Sequence, residues 1–232
     1  MREIILDTET TGLDPASGHR IVEIGGIELL HHVPTGARFH RYINPQREMP
    51  HEAMAVHGLT NEFLRDKPVF AAIADELLDF LGDARLVIHN AAFDLNFLNA
   101  EFTLVGRTVI TPDRTLDTLL LARQRHPMGP NSLDALCKRY GIDATRRDRH
   151  GALLDAELLA DVYIELIGGR QAAMLLVEAR KTAIAEAGVA RVSSRPRPLP
   201  ARLTEIEVMA HHALVAALGD EALWLRFAGR AN

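Results

Sequence analysis

At 232 residues the chain is long enough for one sizeable core plus an appendage. Its formal net charge of −5 argues against a passive, uniformly basic nucleic-acid coat, and its single cysteine, Cys137, excludes an internal disulfide and any cysteine-based zinc site. The content is 47% hydrophobic and 25% charged, and no apolar run approaches the ~18 residues of a membrane span, so the sequence reads as a globular protein with no membrane partner, expected in the cytoplasm.

Residues 3–7 form the first predicted strand, and residues 20–30 the second, with Gly25-Gly26 marking a bulge or a close backbone approach. A third strand is expected at 38–43, joined to the second through a hairpin turn at Pro34-Thr35-Gly36. Residues 44–67 are polar and turn-rich, with a short helix near Glu52. Pro68 opens a helix whose apolar face is Phe70, Ile73, Leu77, Leu78 and Leu81, and Gly82 ends it. Leu86-Val87-Ile88 is a short buried strand that runs into His89-Asn90 and a helix through Phe93, Phe97 and Leu98. A further strand is expected at 108–111 and a helix over 115–125. Asn131 or Ser132 caps the next helix, which Gly141 ends, and a last long helix runs from near Gly151 to Ile167. Antiparallel strands followed by strand–helix alternation specify an α/β domain, a mixed sheet flanked by helices, over residues 1–170.

Beyond residue 170 the texture changes. Residues 171–203 read as a linker, rich in Pro, Ser and Arg over 188–202. Thr204-x-x-Glu207 is a capping box. It opens a small helical segment, 204–232, with Ile206, Ala210, Ala213, Leu214 and Ala217 along one stripe and Trp224, the only tryptophan, in a second short helix. Two helices of this size bury little core alone, so their apolar faces are expected to meet another protein.

Candidate chemistry begins at Asp7-Thr8-Glu9. Side chains at i and i+2 of a strand point to one face, so Asp7 and Glu9 converge at the end of a buried strand. Carboxylates that close repel unless a proton or cation lies between them, and all-oxygen donors suit Mg²⁺ or Mn²⁺. Asp94 falls in the first turn of a helix, just past a strand's carboxyl end, where sites of α/β folds gather. Asp155 sits in a helix among Leu154, Leu158 and Leu159, an apolar setting that an acid tolerates when paired or cation-bound. His150, five residues earlier, is the candidate base, since imidazole is the side chain suited to proton transfer at neutral pH.

The order Asp7-x-Glu9, then Asp94 within His89-Asn90-Ala91-Ala92-Phe93-Asp94, then His150-x4-Asp155 resembles the three motifs of the DEDDh 3′→5′ exonucleases, which have a ribonuclease H-like fold. Val56-His57-Gly58-Leu59-Thr60, Asn131-Ser132-Leu133-Asp134-Ala135-Leu136-Cys137 and His150-Gly151-Ala152-Leu153-Leu154-Asp155-Ala156 are similar to the proofreading (epsilon-type) subunits of bacterial DNA polymerase III, over roughly residues 1–169. The resemblance implies two divalent ions, Mg²⁺ or Mn²⁺, held by Asp7, Glu9, Asp94 and Asp155, with His150 as general base. It further implies that Glu52 and His57 contact the terminal nucleotide, with Thr10 and Phe93 helping to hold its sugar and base. DNA 3′ ends are the implied substrate and 5′-mononucleotides the product. The implied partners are the polymerase III alpha (catalytic) subunit, through residues 204–232, and a sliding clamp, through Gln171-Ala172-Ala173-Met174-Leu175-Leu176, where Leu176 stands in place of a common aromatic. An exoribonuclease of the same family, or a mainly structural polymerase subunit, are the alternatives that the same residues leave open.

Overall fold

In the computed structural model, residues 1–145, 150–168 and 203–218 are described. They fall into two compact units, one holding the residues up to 168 and the other residues 203–218. In the first unit the strands β1 (Arg2–Thr10), β2 (Ile21–Leu30), β3 (Val33–Tyr42), β4 (Arg85–Ile88) and β5 (Thr115–Asp117) form one sheet in the order β3-β2-β1-β4-β5. The pairs β1–β2 and β2–β3 are antiparallel, and β1–β4 and β4–β5 are parallel. The helices are α1 (His51–His57), α2 (Asn61–Arg65), α3 (Phe70–Leu81), α4 (Ala91–Leu104), α5 (Thr118–Arg125), α6 (Leu133–Tyr140) and α7 (Ala152–Leu166).

β1 is central, and its alternation divides the core. Ile4 and Leu6 pack with α3 and α4, through Ile73, Leu77, Phe97 and Phe102. Ile5 faces the other way, into a cluster with Leu136, Leu159, Val162 and Tyr163 from α6 and α7. A strand with both faces covered reads as a continuous apolar run, as Ile4-Ile5-Leu6 does. β1 continues past the expected stop at Asp7, because backbone pairing with β2 persists to Thr10. Asp7, Thr8 and Glu9 are therefore strand residues, pleated like the rest.

Several local expectations are corrected. The hairpin turns at His31-His32, both with positive φ, between the paired residues Leu30 and Val33. Two positive-φ residues are what a tight hairpin matched to strand twist requires. Pro34-Thr35-Gly36 lies inside β3, which begins at Val33 rather than at 38. No strand forms at 108–111. The Asn99 side chain of α4 takes the place of a strand partner there: its Oδ1 accepts from the Ile110 amide at 2.7 Å and its Nδ2 donates to the Ile110 carbonyl at 2.9 Å. β5 instead occupies 115–117, so α5 starts only at Thr118. No bulge falls at Gly25-Gly26, since Gly25 pairs with Asp7 and Gly26 with Leu6 in unbroken register.

The close approach at Gly25 is real and tight. A Cβ placed there would lie 2.2 Å from the Ala152 carbonyl carbon and 2.2 Å from the Leu153 amide nitrogen. The absent side chain lets the first turn of α7 rest on the sheet beside Asp7. Of the two candidate caps of α6, Ser132 serves, accepting from the Ala135 amide, while Asn131 donates to the carbonyls of His126 and Gly129. The region around Glu52 is the helix α1, and a second short helix, α2, follows it behind a Thr60 cap.

In the second unit α8 (Glu205–Ala217) starts at the expected box. The Thr204 amide donates to Glu207 Oε2 at 2.8 Å, and the Glu207 amide to Thr204 Oγ1 at 3.3 Å. Ile206, Met209 and Leu214 of this helix are exposed. The proposed linker and clamp-binding hexapeptide, and the helix containing Trp224, lie outside the described residues. Among the described residues no helix is long and apolar enough to cross a membrane.

Gly25→Ala is expected to force α7 off the sheet, costing about 1–3 kcal/mol as overpacking does. A thermal melt should show a Tm lower by several degrees; an unchanged Tm would contradict the packing described.

Candidate active site

The acids come to the carboxyl ends of β1 and β4 from both faces of the sheet. Asp7 and Glu9 share the face of Ile5, against α7. There, the amino-terminal turn of α7 carries Asp155, 3% exposed, and His150 stands just before it. One ligand atom each of Glu9, His150 and Asp155 lies within 4.8 Å of the others. His150 Nδ1 is 3.3 Å from Asp155 Oδ2, and the imidazole is about half exposed while the carboxylate is buried.

Thr8 points the other way, toward α4. Its Oγ1 donates to Asp94 Oδ1 at 2.7 Å across 86 positions of sequence. Asp94 is itself 3% exposed. Burial pushes its carboxyl up to about 7, against the opposing hydrogen bond from Thr8. A carboxylate so poised gains from a cation beside it.

The turn that delivers Asp94 is strained and pinned. Asn90, between β4 and α4, has φ 65° and ψ 53°, the left-handed region that Asn tolerates better than most residues. The Asp117 carboxylate, at the end of β5, accepts from the amides of Asn90 and Ala91 at 3.2 Å each, and also from Leu119 at 2.8 Å. It thus caps α4 and α5 together, with its charge at both helix amino termini. At the far end of α4, the Glu101 carboxylate takes a two-pronged bond from Arg20, at 2.7 Å and 2.7 Å, and a weaker one from the Ile21 amide. Sequence reading passes over Thr8, Asp117 and Glu101. The signal for Asp117 was its place before an apolar run, the pattern of an N-cap.

Two cavities open on this ground. The first, about 580 Å³, is lined by Asp7, Glu9, Asp94, His150 and Asp155 and extends to Arg123 and Asn131. The second, about 620 Å³, is lined by Thr10, Glu52, Val56 and His57, with Leu13 and His19 at its other side. Thr8, Glu9 and Phe93 belong to both walls. All five residues of the three motifs are therefore brought to one cavity, and the residues read as nucleotide contacts to the cavity adjoining it. Among the described residues Glu9, His150 and Asp155 form a group that could hold a cation, so the histidine stands within reach of the same point as the acids.

His57 is buried, and its Nδ1 accepts from the Leu59 amide at 3.0 Å. Burial holds its imidazole below the usual histidine value, although the Thr10 backbone works the other way. It is therefore a neutral ring at neutral pH. The donor set fits a hard divalent cation, since carboxylate oxygens with one imidazole suit Mg²⁺ or Mn²⁺ and no thiolate is near.

Residues 4–163 match the sequence profile of the exonuclease (RNase_T) family. The chain is 56% identical over 181 residues to the DNA polymerase III subunit epsilon of Rickettsia conorii, covering 77% of this chain and 79% of that one. It is 43% identical over 235 residues to the same subunit of Escherichia coli K12, covering 96% of this chain and 97% of that one. Among solved structures, exonuclease X in complex with 5′-overhanging duplex DNA matches at TM-score 0.57 and 26% identity, covering 72% of this chain and 92% of that one. Exonuclease I matches at TM-score 0.65 and 20% identity, covering 74% and 42%, a likeness of fold.

Thr8→Val keeps the shape but removes the hydroxyl that favours ionised Asp94. Hydrogen bonds to charged groups contribute about 1.5–3 kcal/mol, so Mn²⁺ affinity measured by calorimetry should fall about tenfold or more. Unchanged affinity would detach Thr8 from the site.

Proposed function

The chain belongs to the exonuclease family, in its DNA polymerase III epsilon branch, and from that premise we propose that it removes mispaired nucleotides from DNA 3′ ends as the proofreading subunit of a replicative polymerase. The observation that carries this reading is the meeting of Asp7, Glu9, Asp94, His150 and Asp155, from three distant parts of the chain, on one cavity.

In this reading Asp7, Glu9, Asp94 and Asp155, which line the first cavity, would hold two divalent ions. Two ions, Mg²⁺ or Mn²⁺, supply the positive charge that a phosphodiester anion requires before water can attack it. The chain's own groups do the rest. His150, with Nδ1 turned to Asp155, takes the proton of the attacking water at Nε2. The neighbouring carboxylate holds the imidazole in that tautomer and stabilises it once charged. Thr8 keeps Asp94 in place and favours its ionised form. The second cavity receives the terminal nucleoside, its base against Phe93 and its sugar near Thr10, Glu52 and the neutral His57. The bond broken is that to the upstream 3′ oxygen, and the product is a 5′-mononucleotide.

The tail places this activity. Residues 204–232 bind the polymerase alpha subunit, and Gln171–Leu176 binds a sliding clamp. The Escherichia coli match, which spans nearly the whole of both chains, supports the first assignment, as do the exposed apolar side chains of α8. A subunit of a bacterial replicase works in the cytoplasm, where the chromosome is copied.

Asp7→Ala and Asp155→Ala should each lower Mg²⁺-dependent release of mononucleotides from a DNA 3′ end by on the order of 10³-fold with the melting transition retained. Full activity in a clean Asp7→Ala preparation would refute the assignment. Matched DNA and RNA 3′ ends separate a proofreader from an exoribonuclease, which would prefer RNA. A 1–170 truncation should keep the nuclease but fail to co-purify with the polymerase; retention on the polymerase would move the docking site into the first 170 residues.

A further inference from the structure

The first cavity has an arm that the proposed chemistry does not use. Beyond the acids it runs between α5 and the loop before α6, and Arg123, on α5, stands in its wall. Arg123 is the one arginine or lysine among the described residues that line either cavity. It is exposed, and its guanidinium makes no hydrogen bond or ion pair with another of the described residues. Its neighbours differ. Arg125 donates to the carbonyls of Glu165 and Leu166, and Arg139 to those of Pro130 and to the Asn131 side chain. Those two arginines fasten the scaffold, whereas Arg123 lines the cavity.

The loop that lines the same cavity is fixed in advance. Asn131, 9% exposed, donates to the His126 and Gly129 carbonyls at 3.0 Å each and accepts from Arg139, so the loop over 126–131 is tied at both ends. His89 lies in the same wall, its Nδ1 2.9 Å from Thr118 Oγ1. Burial holds the His89 imidazole below its usual value, and the nearby charge of Arg123 adds to that effect while Asp117 opposes it. The arm thus presents one permanent cation beside a neutral ring, with the Asp134 carboxylate also in the wall.

Direction follows from the two cavities. A terminal nucleoside in the second cavity puts its 5′ phosphate at the shared wall, Thr8, Glu9 and Phe93, against the acids. A strand that continues from there away from the second cavity passes the part of the first cavity that Arg123 lines. We infer that Arg123 binds the backbone phosphate immediately upstream of the scissile one, making the site read two successive phosphates of a strand. The inference rests on the exonuclease reading above. A guanidinium suits this work because it stays charged at any working pH and its planar donors match two phosphate oxygens. The contact carries no base information, so it serves any sequence at a 3′ end.

The test compares two substrates of the full-length wild type and Arg123→Ala. One is a single-stranded DNA oligonucleotide. The other is the p-nitrophenyl ester of thymidine 5′-monophosphate, in which nitrophenolate stands where the upstream nucleoside would be and no upstream phosphate exists. The substitution should raise KM for the oligonucleotide about tenfold with kcat within about twofold. It should leave the nitrophenyl ester unchanged. The dependence of log KM on log salt should become shallower by about 0.7, the share of one phosphate contact on a single strand. Arg123→Lys should restore most of the lost affinity. Equal losses on both substrates, or no change on the oligonucleotide, would overturn the inference while leaving the exonuclease intact. A wild type that releases nothing from either substrate would overturn the exonuclease reading itself, and the inference with it.

Discussion

Carboxylates gathered at the end of a central strand repel one another. At the separation of Glu9 and Asp155, two unit charges in a partly buried setting oppose each other by roughly 3 to 4 kcal/mol at an effective dielectric near 20. Burial raises the cost further, as the displacement of Asp94 toward neutral pH shows. A fold does not accumulate such charge for stability. The remainder of the domain can be understood as the framework that holds these groups together despite the repulsion.

That framework is built on the two faces of β1. On one face the missing side chain at Gly25 lets α7 lie against the sheet, so that Asp155 meets Glu9. On the other, Asp117 fixes the left-handed turn at Asn90, α4 starts where that turn leaves it, and Thr8 reaches across to Asp94. The ion pair between Arg20 and Glu101 anchors the far end of α4 to the start of β2, next to the turn that walls the second cavity. Each bond joins parts of the chain far apart in sequence. The site is therefore a product of the whole domain, and shape at the acids is set by contacts that never touch a substrate.

Much of this was legible in the residues. The i, i+2 spacing of Asp7 and Glu9 follows from strand pleating, and the structure extends β1 far enough for that geometry to apply. Asp94 and Asp155 stood out as acids in apolar surroundings. The illegible parts were those settled by distant partners. No local pattern says that Asn99 will satisfy both backbone groups of Ile110 and so replace a strand, or that Glu101 will receive Arg20. Pro34-Thr35-Gly36 carries stronger turn chemistry than His31-His32, yet the pairing of Leu30 with Val33 determines where the chain reverses. Gly25-Gly26 was ambiguous between a bulge and a close approach, and only the position of α7 decides it.

The central claim is that the acids at the end of β1 form one divalent-cation centre. Anomalous scattering from a crystal soaked in Mn²⁺ with a 5′-mononucleotide tests it most directly. Manganese peaks are expected between Asp7, Glu9, Asp94 and Asp155, with the nucleotide's phosphate beside them and its base toward Phe93. Manganese bound elsewhere on the domain, with those four carboxylates making no contact to it, would contradict it.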